Sequence, residues 1–306
     1  MSAFSEPTMW FKNLQLYRLP ADWAIDAEQL ADQLARHGLQ CCAATEARSL
    51  GWVAPREPGP LVHAVDRQWL LALGVEEKLL PASVVKRFAA DRAREIEESE
   101  GRSVGRREMR TIVEAMTLEL LPRAFVRRRT TFGWIDRVGG WLVVDTASPA
   151  KAEEFLEHLR RSTERPPVKP LKVLRSPSAA MTAWVADGEA PAGFTVDQEV
   201  ELRSNEKATV RYLNHPLEGV EIPQHIAAGK TVTRLAMTWN DRISFVLGES
   251  LQIRRLAFLD ILREQAEAQT DDADERFDSD LTLMTGELGK MIGDLVAELG
   301  GEAPAS

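Results

Sequence analysis

Two prolines, Pro81 and Pro122, bracket the stretch that most limits what this chain can become. Proline suits the first position of a helix, where its missing N–H costs nothing, and it stops a helix from running on. The apolar spacing after Pro81 predicts a helix to about Glu100. A second, over residues 106–121, directs Ile112, Met116, Leu118 and Leu120/Leu121 toward a packing partner. Gly101 and Gly105 separate them. Together they predict a charged helical hairpin projecting as a lobe from whatever lies around it.

The flanking segments have a different period. Residues 9–19 read as a strand, with Phe11, Leu14/Leu16 and Leu19 in near-alternation. Asp26 opens a helix to His37, and short strands are predicted over 51–54, 61–65 and 69–75. Residues 124–135 and 140–146 form a hairpin around Asp136-Arg-Val-Gly-Gly140, followed by a helix over 149–161. Arg165-Pro-Pro-Val-Lys-Pro170 is a stiff connector and marks a domain boundary. Beyond it the pattern predicts a helix at 178–186, strands at 194–203 and 208–213, and a short helix at 223–228. A meander follows over 231–239, 243–247 and 253–258. A helix over 260–269, an acidic break over 270–275 and an amphipathic helix over 277–299 complete the chain.

Strands and helices mix without a βαβ rhythm, so the class is α+β with mixed antiparallel sheets. The expected organisation has four parts. Residues 1–8 are a flexible extension. Residues 9–80 and 122–164 form an N-terminal α+β domain, and residues 81–121 form the lobe. Residues 165–306 form a C-terminal α+β domain with an acidic terminal helix.

Composition excludes several classes. The 306 residues are 44% hydrophobic and 28% charged, as in globular proteins. No apolar run approaches the roughly 18 residues of a membrane span. The N-terminus lacks a signal-peptide pattern, and Cys41 and Cys42 are adjacent, so a reducing, cytoplasmic setting is expected.

The net charge of −9 argues against nucleic acid until it is divided along the chain. Residues 1–85 carry net −3, residues 86–175 net +6, and residues 176–306 net −12. Acidic groups farther from a phosphate than about 8–10 Å are largely screened, so a basic surface can bind an anion on an acidic protein.

Catalysis needs converging groups, and few are visible. The five histidines have no ligand-like spacing, and no phosphate-binding loop or nucleophile elbow occurs. Neighbours Gln40 and Ala43 supply no activating charge to the cysteines. Asp271, Asp272, Asp274, Asp278 and Asp280 lack the glycine and distant glutamate of a calcium loop. No catalytic residue, metal site or cofactor is therefore expected.

Basic residues are more informative. Arg123, Arg127, Arg128 and Arg129 fall within seven residues. On a strand Phe125, Arg127 and Arg129 share one face, with two guanidinium groups about 7 Å apart, a separation that suits backbone phosphates. The structural alternative makes Phe125 a core anchor and pairs the arginines with Glu114 and Glu119. Lys86, Arg87 and Arg94 share a helix side. Arg106, Arg107 and Arg110 cluster on the next helix, and Lys169 and Lys172 belong to a further basic group around the connector. Such residues bind phosphates without reading sequence.

Several motifs now carry a resemblance. They are Met9-Trp-Phe-Lys-Asn-Leu14, Gly51-Trp-Val-x-Pro55, Glu77-Lys-Leu-Leu-Pro81, Leu120-Leu-Pro-Arg-Ala-Phe125 and Trp134-Ile-Asp136. Later come Gly229-Lys-x-Val-Thr-Arg-Leu-Ala236, Arg276-Phe-Asp-x-Asp280 and Leu283-Met-Thr-Gly-Glu-Leu288. From residue 9 to about 301 the chain resembles the bacterial recombination-associated RdgC family. The resemblance implies a non-catalytic protein of the nucleoid, a ring-shaped homodimer that binds duplex DNA without sequence preference and restrains the RecA recombinase. It carries Arg123, Phe125 and Lys230 over as DNA- or interface-facing residues. Arg211-Tyr-Leu-Asn-His-Pro216 is less basic than the family's usual loop. The apolar stripe of the 277–299 helix is a second candidate for dimer contacts. Two other readings remain: a protein-interaction module that inhibits a recombinase directly with little DNA contact, and a carboxylate-dependent nuclease.

Overall fold

The computed structural model describes residues 10–20, 23–163, 168–260, 262 and 272–304. The expected extension over 1–8, most of the expected helix over 260–269 and the 165–167 part of the connector lie outside these residues.

The N-terminal sheet contains β1 (Gln15–Arg18), β2 (Arg48–Val53), β3 (Val62–Val65), β4 (Gln68–Leu79), β5 (Phe125–Asp136), β6 (Trp141–Val144) and β7 (Lys169–Pro170). Its order is β2-β4-β5-β6-β1-β7, with β3 beside β2 on β4, and every pairing is antiparallel. β4 and β5 pair over twelve positions, from Gln68 opposite Asp136 to Leu79 opposite Phe125. Between their ends lie α2 (Ala82–Glu100), α3 (Arg106–Leu120) and a 3₁₀ turn over Leu121–Arg123.

Helices α1 (Ala27–Ala35) and α4 (Pro149–Ser162) pack in one cluster with a face of this sheet. Asp26 caps α1 by accepting from Gln29 N–H, and the Gln29 side chain returns the bond, forming a capping box. Gly133 is required on β5, because a Cβ there would stand 2.3 Å from the Phe155 ring of α4.

The C-terminal sheet is β12-β11-β10-β8-β9, again antiparallel throughout. It comprises β8 (Phe194–Arg203), β9 (Thr209–Leu213), β10 (Thr231–Trp239), β11 (Ile243–Gly248) and β12 (Ile253–Phe258). Helices α5 (Pro177–Asp187), α6 (Glu221–Ala227) and the long α7 (Ala273–Glu298) accompany it. The class is α+β, as expected. Among the described residues no helix is long and apolar enough to cross a membrane.

α7 corrects one expectation. Leu281, Met284, Leu288, Met291, Ile292 and Leu295 are fully buried. They join one cluster with Leu70 and Trp134 of the N-terminal sheet and Val200, Leu235, Met237 and Phe245 of the C-terminal sheet. The stripe is therefore internal core and is not available as a dimer contact.

The expected strand over 9–19 serves both sheets. Leu14 N–H donates to Ile253 O at 2.8 Å, and Leu256 N–H donates to Lys12 O at 2.8 Å. Gln15 onward then pairs with β6.

Candidate nucleic-acid interface

α2 and α3 pack on each other through Ala89, Ala93 and Ile112, with Ile96, Met109, Val113 and Met116 around them. This cluster is small, so most of both helices faces solvent. Gly101 ends α2 with φ 67°, a left-handed value that suits glycine. Arg102 then binds Glu100 and, with two 2.7 Å bonds, Glu108, which raises its pKa further. Glu97 accepts from Val104 N–H at 2.8 Å. These contacts fix the connection between the helices.

Lys86, Arg87, Arg106, Arg107, Arg110 and Arg123 are exposed on this unit. None of the six forms an ion pair among the described residues. Arg94 is also exposed but lies 3.4 Å from Asp91.

The arginine run of β5 divides. Arg127 Nη2 binds Glu77 at 2.8 Å and Arg128 Nε binds Glu76 at 2.8 Å, each directly opposite in the ladder. Arg129 faces Val75 across the ladder and has no ion pair among the described residues. The expected pairing with Glu114 and Glu119 is thus replaced by pairing with the end of β4. Glu76 is only 3% exposed. Its carboxyl is held below its ordinary pKa by the Cys42 N–H and then by Arg128. Glu77 is held down likewise, mainly by Arg127. Burial and then Glu76 push the Cys42 thiol up.

Phe125 is 84% exposed, which overturns its reading as a core anchor. Leu118, expected to point at a packing partner, is also exposed. Leu79, opposite Phe125 in the ladder, and Phe88 and Val126 add to an uncovered apolar collar at the root of the helices. Sequence reasoning did not single out these last three, although for Leu79 and Val126 an apolar residue just outside each end of an inserted helical pair was a usable signal.

The remaining expected residues lie on other elements. Lys169 on β7 and the exposed Lys172 line a hollow of about 510 Å³ with Arg18 and Glu302. Arg18 stacks on Trp141 and pairs with Glu302. Lys230 precedes β10, half-buried, with its Nζ 3.2 Å from His225 Nδ1.

Most C-terminal arginines are neutralised at home. Arg211 and Arg255 bind Glu199, Arg203 binds Glu249, Arg234 binds Glu201 and Arg242 binds Glu287. The acidic residues weighed for a metal are likewise engaged. Asp278 meets His63 Nε2 at 2.7 Å, Asp274 pairs with Arg56, and Asp272 caps α7 by accepting from Asp274 N–H and Glu275 N–H. Burial pushes the Asp280 carboxyl up. Asp271 lies outside the described residues. Among those described, no group of three or more His, Cys, Asp or Glu is placed to hold a metal ion.

Fold and surface together define an α+β protein with two antiparallel sheets and a helical pair, inserted between two long strands, that carries five exposed cations without an ion pair among the described residues. The chain belongs to the RdgC family: the family model described as "Putative exonuclease, RdgC" matches residues 9–302. The "Recombination-associated protein RdgC" of Janthinobacterium sp. (strain Marseille) is 54% identical over 296 residues, covering 96% of this chain and 99% of that protein. The protein of the same name from Herminiimonas arsenicoxydans is also 54% identical with the same coverage. That of Cupriavidus pinatubonensis (strain JMP 134 / LMG 1197) is 52% identical over 97% of this chain and 100% of its own length. Exonuclease in the first description and recombination in the others are different statements.

Proposed function

We propose that this chain is a non-catalytic protein that binds duplex DNA without sequence preference, encircles it as a homodimer and so restrains the RecA recombinase at the nucleoid. One observation supports the reading: among the described residues Lys86, Arg87, Arg106, Arg107 and Arg110 of α2 and α3, with Arg123 and Arg129 beside them, have no ion-pair partner, while the arginines of the C-terminal sheet are mostly paired. An unpaired guanidinium exchanges counterions for phosphate without first breaking an internal bond.

Arg129 of β5 and Arg123 of the 3₁₀ turn before it head the contribution of this segment. Arg127 and Arg128 act more weakly, because a phosphate must compete with Glu77 and Glu76. The exposed collar of Phe125, Leu79, Val126 and Phe88 is the proposed self-association surface, since a two-fold contact needs a self-complementary patch and these side chains have no internal cover. The division into an N-terminal domain, a helical lobe and a C-terminal domain is part of the same proposal: the lobes close the ring, and the two sheets carry it.

The test combines sizing with titration of a random-sequence duplex across salt. A dimer whose log K falls linearly with log[salt], equally for unrelated sequences, is the expected result. Salt-insensitive binding, or inhibition of a recombinase without DNA contact, refutes the proposal.

A further inference from the structure

Lys230 and its neighbours contain more than one surface cation. His225 lies in the last turn of α6, and the chain then turns at Gly229, whose φ of 85° suits glycine. Gly229 N–H donates to Ile226 O at 2.9 Å and Lys230 N–H donates to His225 O at 3.1 Å. This tight turn brings Lys230 Nζ to 3.2 Å from His225 Nδ1. An ammonium only donates, so this bond requires a lone pair on Nδ1 and is incompatible with a proton there.

The Tyr212 ring of β9 stands 6.1 Å from the His225 ring and 5.2 Å from that of His215. His215 Nδ1 donates to the Pro216 carbonyl at 2.7 Å, which leaves its Nε2 open.

A proton on Nδ1 of His225 would abolish the bond to Lys230 and set two cations about 3 Å apart. An anion between them relieves that repulsion and receives a hydrogen bond from each. We infer that Lys230 and His225 form a proton-linked phosphate site, in which binding of one backbone phosphate takes up one proton at His225. The inference rests on the reading of the protein as a DNA binder.

Other ionisable groups near the imidazole do not replace the anion. Glu221, four residues earlier on α6, and Glu218 in the preceding turn are exposed. Their negative charge favours an imidazolium but repels a phosphate. From β9 and the turn after it come Tyr212 and His215, beside the ring, and Arg211, which is paired with Glu199 at 2.7 Å. α5, which packs on α6, has Asp187 at its end as its single ionisable residue.

The experiment measures binding of a short random duplex at pH 6, 7 and 8 and constant ionic strength, with calorimetry in two buffers of different ionisation enthalpy. The intact chain should bind up to roughly 10-fold tighter per protomer at pH 6 than at pH 8, with net proton uptake. In His225→Asn the amide oxygen still accepts from Lys230 but takes up no proton, so this part of the pH dependence and of the uptake should vanish. His225→Lys carries a fixed charge and should bind tightly at all three pH values. Full pH dependence and proton uptake in His225→Asn would overturn the site. Absence of duplex binding at every pH would overturn both this inference and the DNA-binding reading beneath it.

Discussion

Replacing Arg106, Arg107 and Arg110 together with alanine should weaken DNA binding in a way that salt reveals. All three lie on α3, exposed, and none has an ion-pair partner among the described residues. Each phosphate neutralised contributes about 0.9 to the slope of log K against log[salt]. Three lost contacts therefore lower the slope by about 2.7 per protomer. At 0.15 M salt this amounts to roughly a 100-fold loss of affinity per protomer, shrinking to nothing near 1 M, where counterion release no longer drives binding.

The control is Arg160→Ala with Arg161→Ala on α4. These arginines already pair with Glu153 and Glu157, at 2.8 Å and 2.9 Å, and their loss should barely move the slope. The assay is anisotropy of a labelled duplex across 0.05–1 M salt, over which the screening length falls from about 14 Å to about 3 Å. An unchanged slope in the triple variant, or an equal fall in the control, would refute the reasoning that unpaired cations make the site.

On the proposed self-association surface, Phe125→Glu should leave a folded monomer in sedimentation with an unchanged circular-dichroism spectrum, because the ring is not part of any internal core. Arg128→Ala should lower the urea midpoint at pH 7 by stranding the Glu76 charge. Since the folded pKa of Glu76 is depressed, this stabilisation exists above the unfolded carboxylate pKa of about 4.3. It is lost as pH falls through the lower folded value, so the deficit should close in acid. Leu288→Ala in α7 should cost about 2–5 kcal/mol in denaturant melts, the range for emptying a fully buried leucine site. Gly133→Ala should cost about 1–3 kcal/mol as Phe155 is forced aside.

Helical period and glycine punctuation made α2 and α3 legible, and alternation made β5, β6 and the C-terminal meander legible. The end of β4 was not. The sequence expectation stopped at Val75, where the aliphatic run gives way to the charged Glu76-Glu77-Lys78. The strand continues to Leu79 because arginines 127 and 128, fifty residues on, sit opposite those carboxylates and satisfy them. The same long-range pairing leaves Arg129 as the single β5 arginine without an ion pair among the described residues. The partner of Lys230 was invisible for a different reason: only the turn at Gly229 brings His225 back to it. The amphipathic stripe of α7 was correctly recognised, but an apolar face does not itself say whether a neighbouring chain or the same chain will cover it.

The shared use of residues 10–18 by both sheets bears on how the chain is made. Phe11 N–H meets Met284 Sδ across 273 residues, and Leu14 hydrogen-bonds β12 just before Gln15 enters the other sheet. Such distant pairing is slow to close. During synthesis residues 10–18 must wait, unpaired on one side, for β12 and α7. A truncated chain ending before α7 should therefore fail to mature rather than fold as a smaller protein.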